Sequence, residues 1–157
     1  MERDIIRRHF KSIGARVRFR DMEMDSRYSR SVRPDAYRID IVPDKRGSLF
    51  DIAQARSAPE LFVLQTRPKE RHLLLYCRDG QRFLCGHDER DWFIAAVAER
   101  VSTVRDAKLA LMPDPVRAEA KKLPPSATCK RKNATFVRQG EWFFVPVDRE
   151  FPDGLVL

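Results

Sequence analysis

The sequence predicts an α+β fold in which helices flank a largely antiparallel β-meander. Short apolar runs bounded by turn residues recur about every ten residues through the middle of the chain, a spacing typical of antiparallel strands. Residues 2–13 instead place apolar side chains at helical spacing, and Thr103-x-x-Asp106 marks a later helix start. A chain of 157 residues is predicted to form a single domain, with a weak boundary near 123–130, where Pro124-Pro125-Ser126 indicates a linker.

The N-terminal segment combines a helix with a strongly basic strand. A helix over 2–13 is expected to end at Gly14, and residues 15–20 then alternate strictly between small or apolar side chains and arginine. The strand would project three guanidinium groups from one face at ~6.6 Å intervals, which suits a phosphate backbone. An edge strand whose charges prevent edge-to-edge pairing is the alternative. The three residues are Arg16, Arg18 and Arg20.

Two hairpins are predicted in the centre. Residues 36–42 and 48–53 form the first, and a carboxylate lies inside each of its strands, at Asp40 and Asp51. Opposed carboxylates suggest a metal site, but no further catalytic pair follows, so two solvent-facing residues are the favoured interpretation. Strands 72–77 and 82–85 form the second hairpin, with a tight two-residue turn at Asp79-Gly80.

That second turn predicts a register that places Cys77 and Cys85 on opposite faces of the sheet. Together with His87 and Cys129 they are a nominal set of zinc ligands, but this register separates them, so both thiols are interpreted as small buried hydrophobic groups. Helices are predicted over 88–101, from about 103 to 112 and over 114–123, and a final hairpin over 135–138 and 141–145.

The stretch from Gly86 to Asp91 contains an imidazole and several carboxylates close to the thiol of Cys85, more potentially reactive groups than other stretches of the sequence. A nucleophilic Cys85 activated by His87 fits the general logic of Cys/His enzymes, but side chains two apart on a strand lie ~7 Å from each other, beyond hydrogen-bond reach. We favour a capping role for Asp88 and a turn role for His87. The common phosphate-loop, dinucleotide-binding, zinc-protease and serine-hydrolase motifs do not occur, and no cofactor is predicted.

Positive charge is concentrated in two segments. The net charge is +8, and residues 1–33 hold ten basic against five acidic residues, while residues 116–140 hold seven against one. If these segments meet, they form a patch that attracts phosphates; otherwise they are ordinary solvated surface. The three cysteines are odd in number and widely spaced, residues 1–4 lack the pattern of a secretory leader, and no apolar stretch approaches the ~20 residues that span a membrane. We therefore expect a cytoplasmic protein with no membrane partner.

Two stretches, Phe83-Leu84-Cys85-Gly86-His87-Asp88-Glu89-Arg90-Asp91-Trp92-Phe93 and Arg138-Gln139-Gly140-Glu141-Trp142-Phe143-Phe144-Val145-Pro146, resemble those of a group of uncharacterised bacterial proteins. The resemblance implies a bacterial, cytoplasmic origin. It implies no activity and assigns no site residue.

The sequence therefore favours a non-catalytic, basic accessory module that binds nucleic acid, alone or within a larger complex. The candidate contacts are Arg16, Arg18, Arg20, Lys121, Lys122, Lys130, Arg131 and Lys132. One alternative is a subunit that binds a protein partner, or a second copy of itself, through Trp142 and Phe144 of the aromatic hairpin. The other is a hydrolase or nuclease that uses Cys85 with His87, or Asp40 with Asp51.

Overall fold

The computed structural model describes residues 2–22, 37–139 and 142–146, and it has the predicted α+β architecture. The contacts within the chain divide it into two compact units, Met1–Leu111 and Met112–Leu157, which are called the first and second unit below. The predicted boundary near 123–130 stays a prediction. No helix among the described residues is long and apolar enough to cross a membrane.

The first unit begins with helix α1, Glu2–Ser12, and Gly14 caps its C-terminal end as predicted. The Gly14 N–H donates to the Lys11 carbonyl at 3.0 Å, and the Ala15 N–H donates to the Phe10 carbonyl at 2.9 Å. These two bonds form a Schellman motif, which requires a left-handed residue, and Gly14 has a φ of +80°. Glycine at this position therefore turns the chain from the helix into the first strand.

A three-stranded sheet and a four-stranded sheet complete most of the first unit. The first has the order β1-β3-β2, in which the edge strand β1 runs parallel to β3; the second is an antiparallel meander in the order β4-β5-β6-β7. The strands are β1 Val17–Asp21, β2 Tyr37–Asp44, β3 Gly47–Gln54, β4 Leu61–Arg67, β5 His72–Cys77, β6 Arg82–Asp88 and β7 Asp91–Ala96.

Two cores cover the two faces of the four-stranded sheet. On one face, Leu73 and Leu75 of β5 pack in a cluster with Phe10 of α1 and Phe50 of β3, all fully buried. On the other face, Leu74 lies in a second cluster with residues of helix α2, Val104–Ala110. Strand β5 is therefore buried on both sides, which explains its continuous apolar run.

The predicted helix over 88–101 is wrong. Strand β6 continues to Asp88, residues 89–90 make the turn, and β7 pairs with β6 so that His87 lies opposite Trp92. Ile94 and Trp92 face the first core, whereas Phe93 faces the second. Because both faces of this strand pack against a core, its apolar residues form an unbroken run that sequence periodicity alone cannot separate from a helix.

The predicted hairpin between β5 and β6 is correct, but its register is shifted by one residue. Gly80, with a φ of +107°, ends a three-residue loop in which the Gly80 N–H donates to the Cys77 carbonyl and the Cys77 N–H donates to the Gln81 carbonyl. Leu73 then lies opposite Cys85, so Cys77 and Cys85 share one face of the sheet. The prediction of opposite faces assumed a two-residue turn and is therefore wrong.

The capping signal at Thr103 is confirmed at the start of α2. The Thr103 hydroxyl oxygen accepts a hydrogen bond from the Asp106 N–H at 3.0 Å, and the hydroxyl donates to the Asp106 carboxylate at 2.7 Å. Both bonds hold the first turn of the helix that covers the second core.

We expect Thr103→Ala to lower the free energy of unfolding by about 1 kcal/mol, because alanine cannot accept the Asp106 N–H. Urea denaturation measures the change, and Ser102→Ala is the control, since Ser102 is an adjacent exposed hydroxyl. Equal losses in the two variants would show that the cap contributes nothing.

The second unit contains helix α3, Asp114–Ala120, and a short antiparallel pair, β8 Val137–Gln139 and β9 Trp142–Phe144. Both elements were predicted, and Pro115 lies in the first turn of α3 as expected. Phe136 is buried and packs edge-on against Phe143, with 5.2 Å between ring centroids. This contact supports one face of the small sheet and leaves the other face open.

Candidate nucleic-acid interface

Strand β1 carries the predicted arginines, and the protein itself neutralises much of their charge. Arg18 and Arg20 donate from Nε to the two carboxylate oxygens of Asp51, at 2.9 and 2.8 Å. Arg16, just before the strand, holds Asp44 through both terminal nitrogens at 2.6 and 2.7 Å. The edge position of β1 matches the alternative interpretation, in which charged side chains protect an exposed strand.

Asp40 and Asp51 do lie directly opposite each other in β2 and β3, but only Asp40 is partly open to solvent. Asp51 is 3% exposed, so the expectation of a solvent-facing residue is wrong for it. Hydrogen bonds from Arg18 and then Arg20 hold the pKa of Asp51 below its usual range, against the opposing effect of burial. The parallel strand β1 supplies these cations, and a parallel pairing with β3 is not readable from local sequence.

The Cys85 and His87 arrangement does not provide an accessible nucleophile. Cys85 is fully buried in the first core, and burial raises the pKa of its thiol far above its ordinary value. Burial also raises the pKa of Cys77 to about 11. Both thiols pack as small hydrophobic groups, as predicted. His87 packs edge-on against Trp92, with 4.9 Å between ring centroids. In residues 2–22, 37–139 and 142–146, no group of three His, Cys, Asp or Glu side chains could hold a metal ion.

The predicted basic residues of the second unit lie at its surface. Lys121, Lys130 and Lys132 are exposed, and the described part of the chain offers none of them an ion-pair partner. Lys122 is also exposed but pairs with Glu119 at 2.5 Å. Arg131 is exposed, and its carbonyl accepts the Arg138 N–H at 2.6 Å. Lys121, Lys130 and Lys132 are therefore cations that no described residue neutralises, unlike the arginines of strand β1.

A turn built by Asn133 fixes the basic segment against strand β8. The Asn133 side-chain oxygen accepts from the N–H groups of Thr135 and Phe136 at 2.9 and 3.0 Å, and the Asn133 N–H donates to the Phe136 carbonyl at 3.1 Å. These bonds fold the chain back so that Lys132 forms an antiparallel bridge with Val137. The cluster of basic residues is thus attached to the hairpin by backbone hydrogen bonding.

The open face of this small sheet is aromatic. Trp142 is 75% exposed and Phe144 is 55% exposed, and the two alternate with the more buried Phe143 along β9. Val137 lies opposite Phe144, and Lys132 lies opposite Val137, so the three form a row across one face. We call the surface formed by Lys130, Arg131, Lys132, Trp142 and Phe144 the basic-aromatic face.

The basic-aromatic face unites residues that the sequence analysis assigned to two different functions. Lys130, Arg131 and Lys132 were predicted to contact nucleic acid, while Trp142 and Phe144 were predicted to contact protein. The bridge between Lys132 and Val137 brings the two groups together. Lys130 and Lys132 have no ion-pair partner among the described residues. Rings open to solvent beside such cations can stack planar groups and hold phosphates at the same time.

Comparison with known proteins assigns no family. No protein-family model matches the chain, and no curated protein or solved structure is significantly similar to it.

Proposed function

We propose that this protein is a non-catalytic module that binds single-stranded nucleic acid through the basic-aromatic face. The observation that carries the proposal is the pair of exposed rings, Trp142 and Phe144, on the same small sheet as Lys132. The bacterial, cytoplasmic origin implied by the resembling stretches is part of the proposal and agrees with such a role.

The charge of the second unit supports a polyanionic ligand. Its described residues include seven basic and two acidic side chains, and both acidic residues, Asp114 and Glu119, lie on α3 in pairs with Arg117 and Lys122. Between Glu119 and Glu141, the stretch that contains Lys130 and Lys132, the sequence has no acidic residue. Neutralising phosphates with these cations releases counterions, which supplies affinity that does not depend on base sequence.

The aromatic side chains favour a single strand over a duplex. Trp142 and Phe144 are two residues apart on a strand, and so their rings stand side by side at ~6.6 Å. Each ring offers a face to a base, and a base can stack on it only where it is not already stacked within a duplex. Stacking accepts every base, so we expect weak sequence preference.

A protein partner is the second candidate for the same face. Trp142, Phe144 and Val145 are all at least 45% exposed, and large exposed apolar residues are typical of interaction surfaces. The partner could be another protein or a second copy of this chain. Salt separates the two candidates, since binding through phosphates weakens as salt rises and binding through apolar contacts does not.

We expect affinity for a fluorescein-labelled 12-nucleotide single strand, measured by anisotropy, to fall steeply between 50 and 200 mM salt. The double variant Lys130→Gln/Lys132→Gln should bind more weakly and reduce the slope of log affinity against log salt by roughly 1.4, about 0.7 for each lost phosphate contact. Lys11→Gln, at an exposed position on α1, is the matched control and should leave the slope unchanged.

Affinity that is equal at both salt concentrations would reject the proposal. Association with a protein that survives high salt and is abolished in Trp142→Ala would instead assign the face to a protein partner.

A further inference from the structure

A polar cavity of about 380 Å³ opens on the first unit, and no residue of the basic-aromatic face lines it. Three separate parts of the chain line it. Arg16 comes from the α1–β1 connection, Arg46 and Ser48 come from the β2–β3 hairpin, and His87, Arg90 and Trp92 come from the β6–β7 hairpin. Its volume is near the lower end of the range typical of small-molecule sites.

We propose that this cavity binds a small phosphorylated molecule, with Arg46 and Arg90 as the groups that hold its phosphate. The guanidinium fork matches the oxygen geometry of phosphate and can bind it with two parallel hydrogen bonds. Both residues are exposed, and among the described residues neither side chain has an ion-pair partner. Their charge is therefore available to a ligand.

The remaining cationic side chain, Arg16, is held in place by the protein. It binds Asp44 through two nitrogens and also donates to the Ser48 carbonyl at 3.2 Å, and the Asp44 carboxylate accepts the Arg46 N–H at 2.6 Å. These bonds order the turn that carries Arg46, so the phosphate contact would lie on a rigid hairpin. One carboxylate, Asp91, also lines the cavity. Because Asp44 neutralises Arg16, the guanidinium groups of Arg46 and Arg90 are set against this single carboxylate.

Trp92 forms a fixed wall of the cavity. Its ring contacts Phe50 in the first core at 5.6 Å between centroids, and the Arg71 guanidinium lies over it at 4.6 Å. The indole is therefore immobilised by groups behind and beside it and can report on what enters the cavity. A ligand of this size would have a phosphate and a small organic part, such as a sugar.

Tryptophan fluorescence tests this proposal directly, because the chain has only two tryptophans. Trp142→Phe removes the other indole, which is exposed on the second unit, and leaves Trp92 as the sole reporter. The full-length variant is titrated at constant ionic strength with ribose 5-phosphate, with inorganic phosphate and with ribose. We expect a saturable change in fluorescence with ribose 5-phosphate or inorganic phosphate and no change with ribose. Tighter binding of ribose 5-phosphate than of inorganic phosphate would show that the organic part contributes to affinity.

Charge-removing variants in the same background identify the anchors. Arg46→Gln and Arg90→Gln should each weaken phosphate binding by about tenfold, as expected for the loss of charge-assisted hydrogen bonds. Lys69→Gln, an exposed substitution outside the cavity, should leave it unchanged. The proposal would be overturned if ribose or chloride changed the Trp92 fluorescence as much as the phosphate probes do. It would also be overturned if the change persisted in both arginine variants. Binding of a single-stranded oligonucleotide by the Arg46 and Arg90 variants is measured as well. Unchanged oligonucleotide binding would show that the cavity and the basic-aromatic face are separate sites.

Discussion

Replacing Trp142 with alanine is expected to weaken binding of a single-stranded oligonucleotide by about 5- to 140-fold. The range corresponds to the loss of about 1–3 kcal/mol for one stacked base. Trp142 is 75% exposed and contributes little to the core, so the variant should fold normally. Because no charge is removed, the slope of log affinity against log salt should not change, which separates this effect from that of the lysine substitutions.

Phe144→Ala should behave in the same way, with a smaller loss, since phenylalanine offers a smaller ring than tryptophan. Phe62→Ala is the matched control, because Phe62 is 38% exposed on the first unit and stacks on Tyr76 rather than on a ligand. Fluorescence anisotropy gives the affinities and circular dichroism verifies folding. The stacking role is wrong if Phe62→Ala and Trp142→Ala weaken binding equally.

The second large effect concerns Asp51 and the stability of the fold. We expect Asp51→Asn to lower the free energy of unfolding by about 1–3 kcal/mol, because it removes the charge that Arg18 and Arg20 both bind. The value lies below that of a fully buried ion pair, since the two arginine side chains are 57% and 44% exposed and solvent screens them. Asp40→Asn is the control, and its effect should stay within about 0.5 kcal/mol.

This stabilisation should depend on pH in a defined direction. The folded-state pKa of Asp51 lies below its unfolded value, near 4, so the carboxylate stabilises the fold above about pH 4 and loses that effect as pH falls through the folded pKa. Urea denaturation at a series of pH values should therefore show the difference between wild type and Asp51→Asn shrinking on acidification. A difference that is constant from neutral pH to below the folded pKa would show that the charge is not responsible.

The sequence predicted most of the elements because most of them carry local signals. Gly14 marks the end of α1, Thr103 marks the start of α2, and the turn around Arg46 joins β2 to β3, each through chemistry confined to a few residues. The β6–β7 hairpin carried a misleading signal. Asp88, Glu89 and Asp91 resemble the first turn of a helix, but they form a turn between two strands, because Trp92, Phe93 and Ile94 pack on both faces of a sheet.

The proposed functional surfaces are formed by contacts between segments that lie far apart in the sequence. These contacts could not be predicted from the sequence. Nothing near Arg18 in the sequence indicates that Asp51 would accept its hydrogen bond, since this depends on parallel pairing of β1 with β3. The joining of Lys132 to the aromatic hairpin had one usable local signal, Asn133, whose side chain commonly forms such turns. The cavity formed by Arg16, Arg46 and Arg90 had none, because its lining residues come from three distant turns.

A competition experiment on the unmodified protein tests the central claim most directly. The protein is saturated with a labelled 12-nucleotide single strand at 50 mM salt, and unlabelled single strand or duplex of the same sequence is added. If bases stack on Trp142 and Phe144, the single strand should displace the label at a much lower nucleotide concentration than the duplex. Equal or better displacement by the duplex, or no binding of the labelled strand at this salt concentration, would contradict the account.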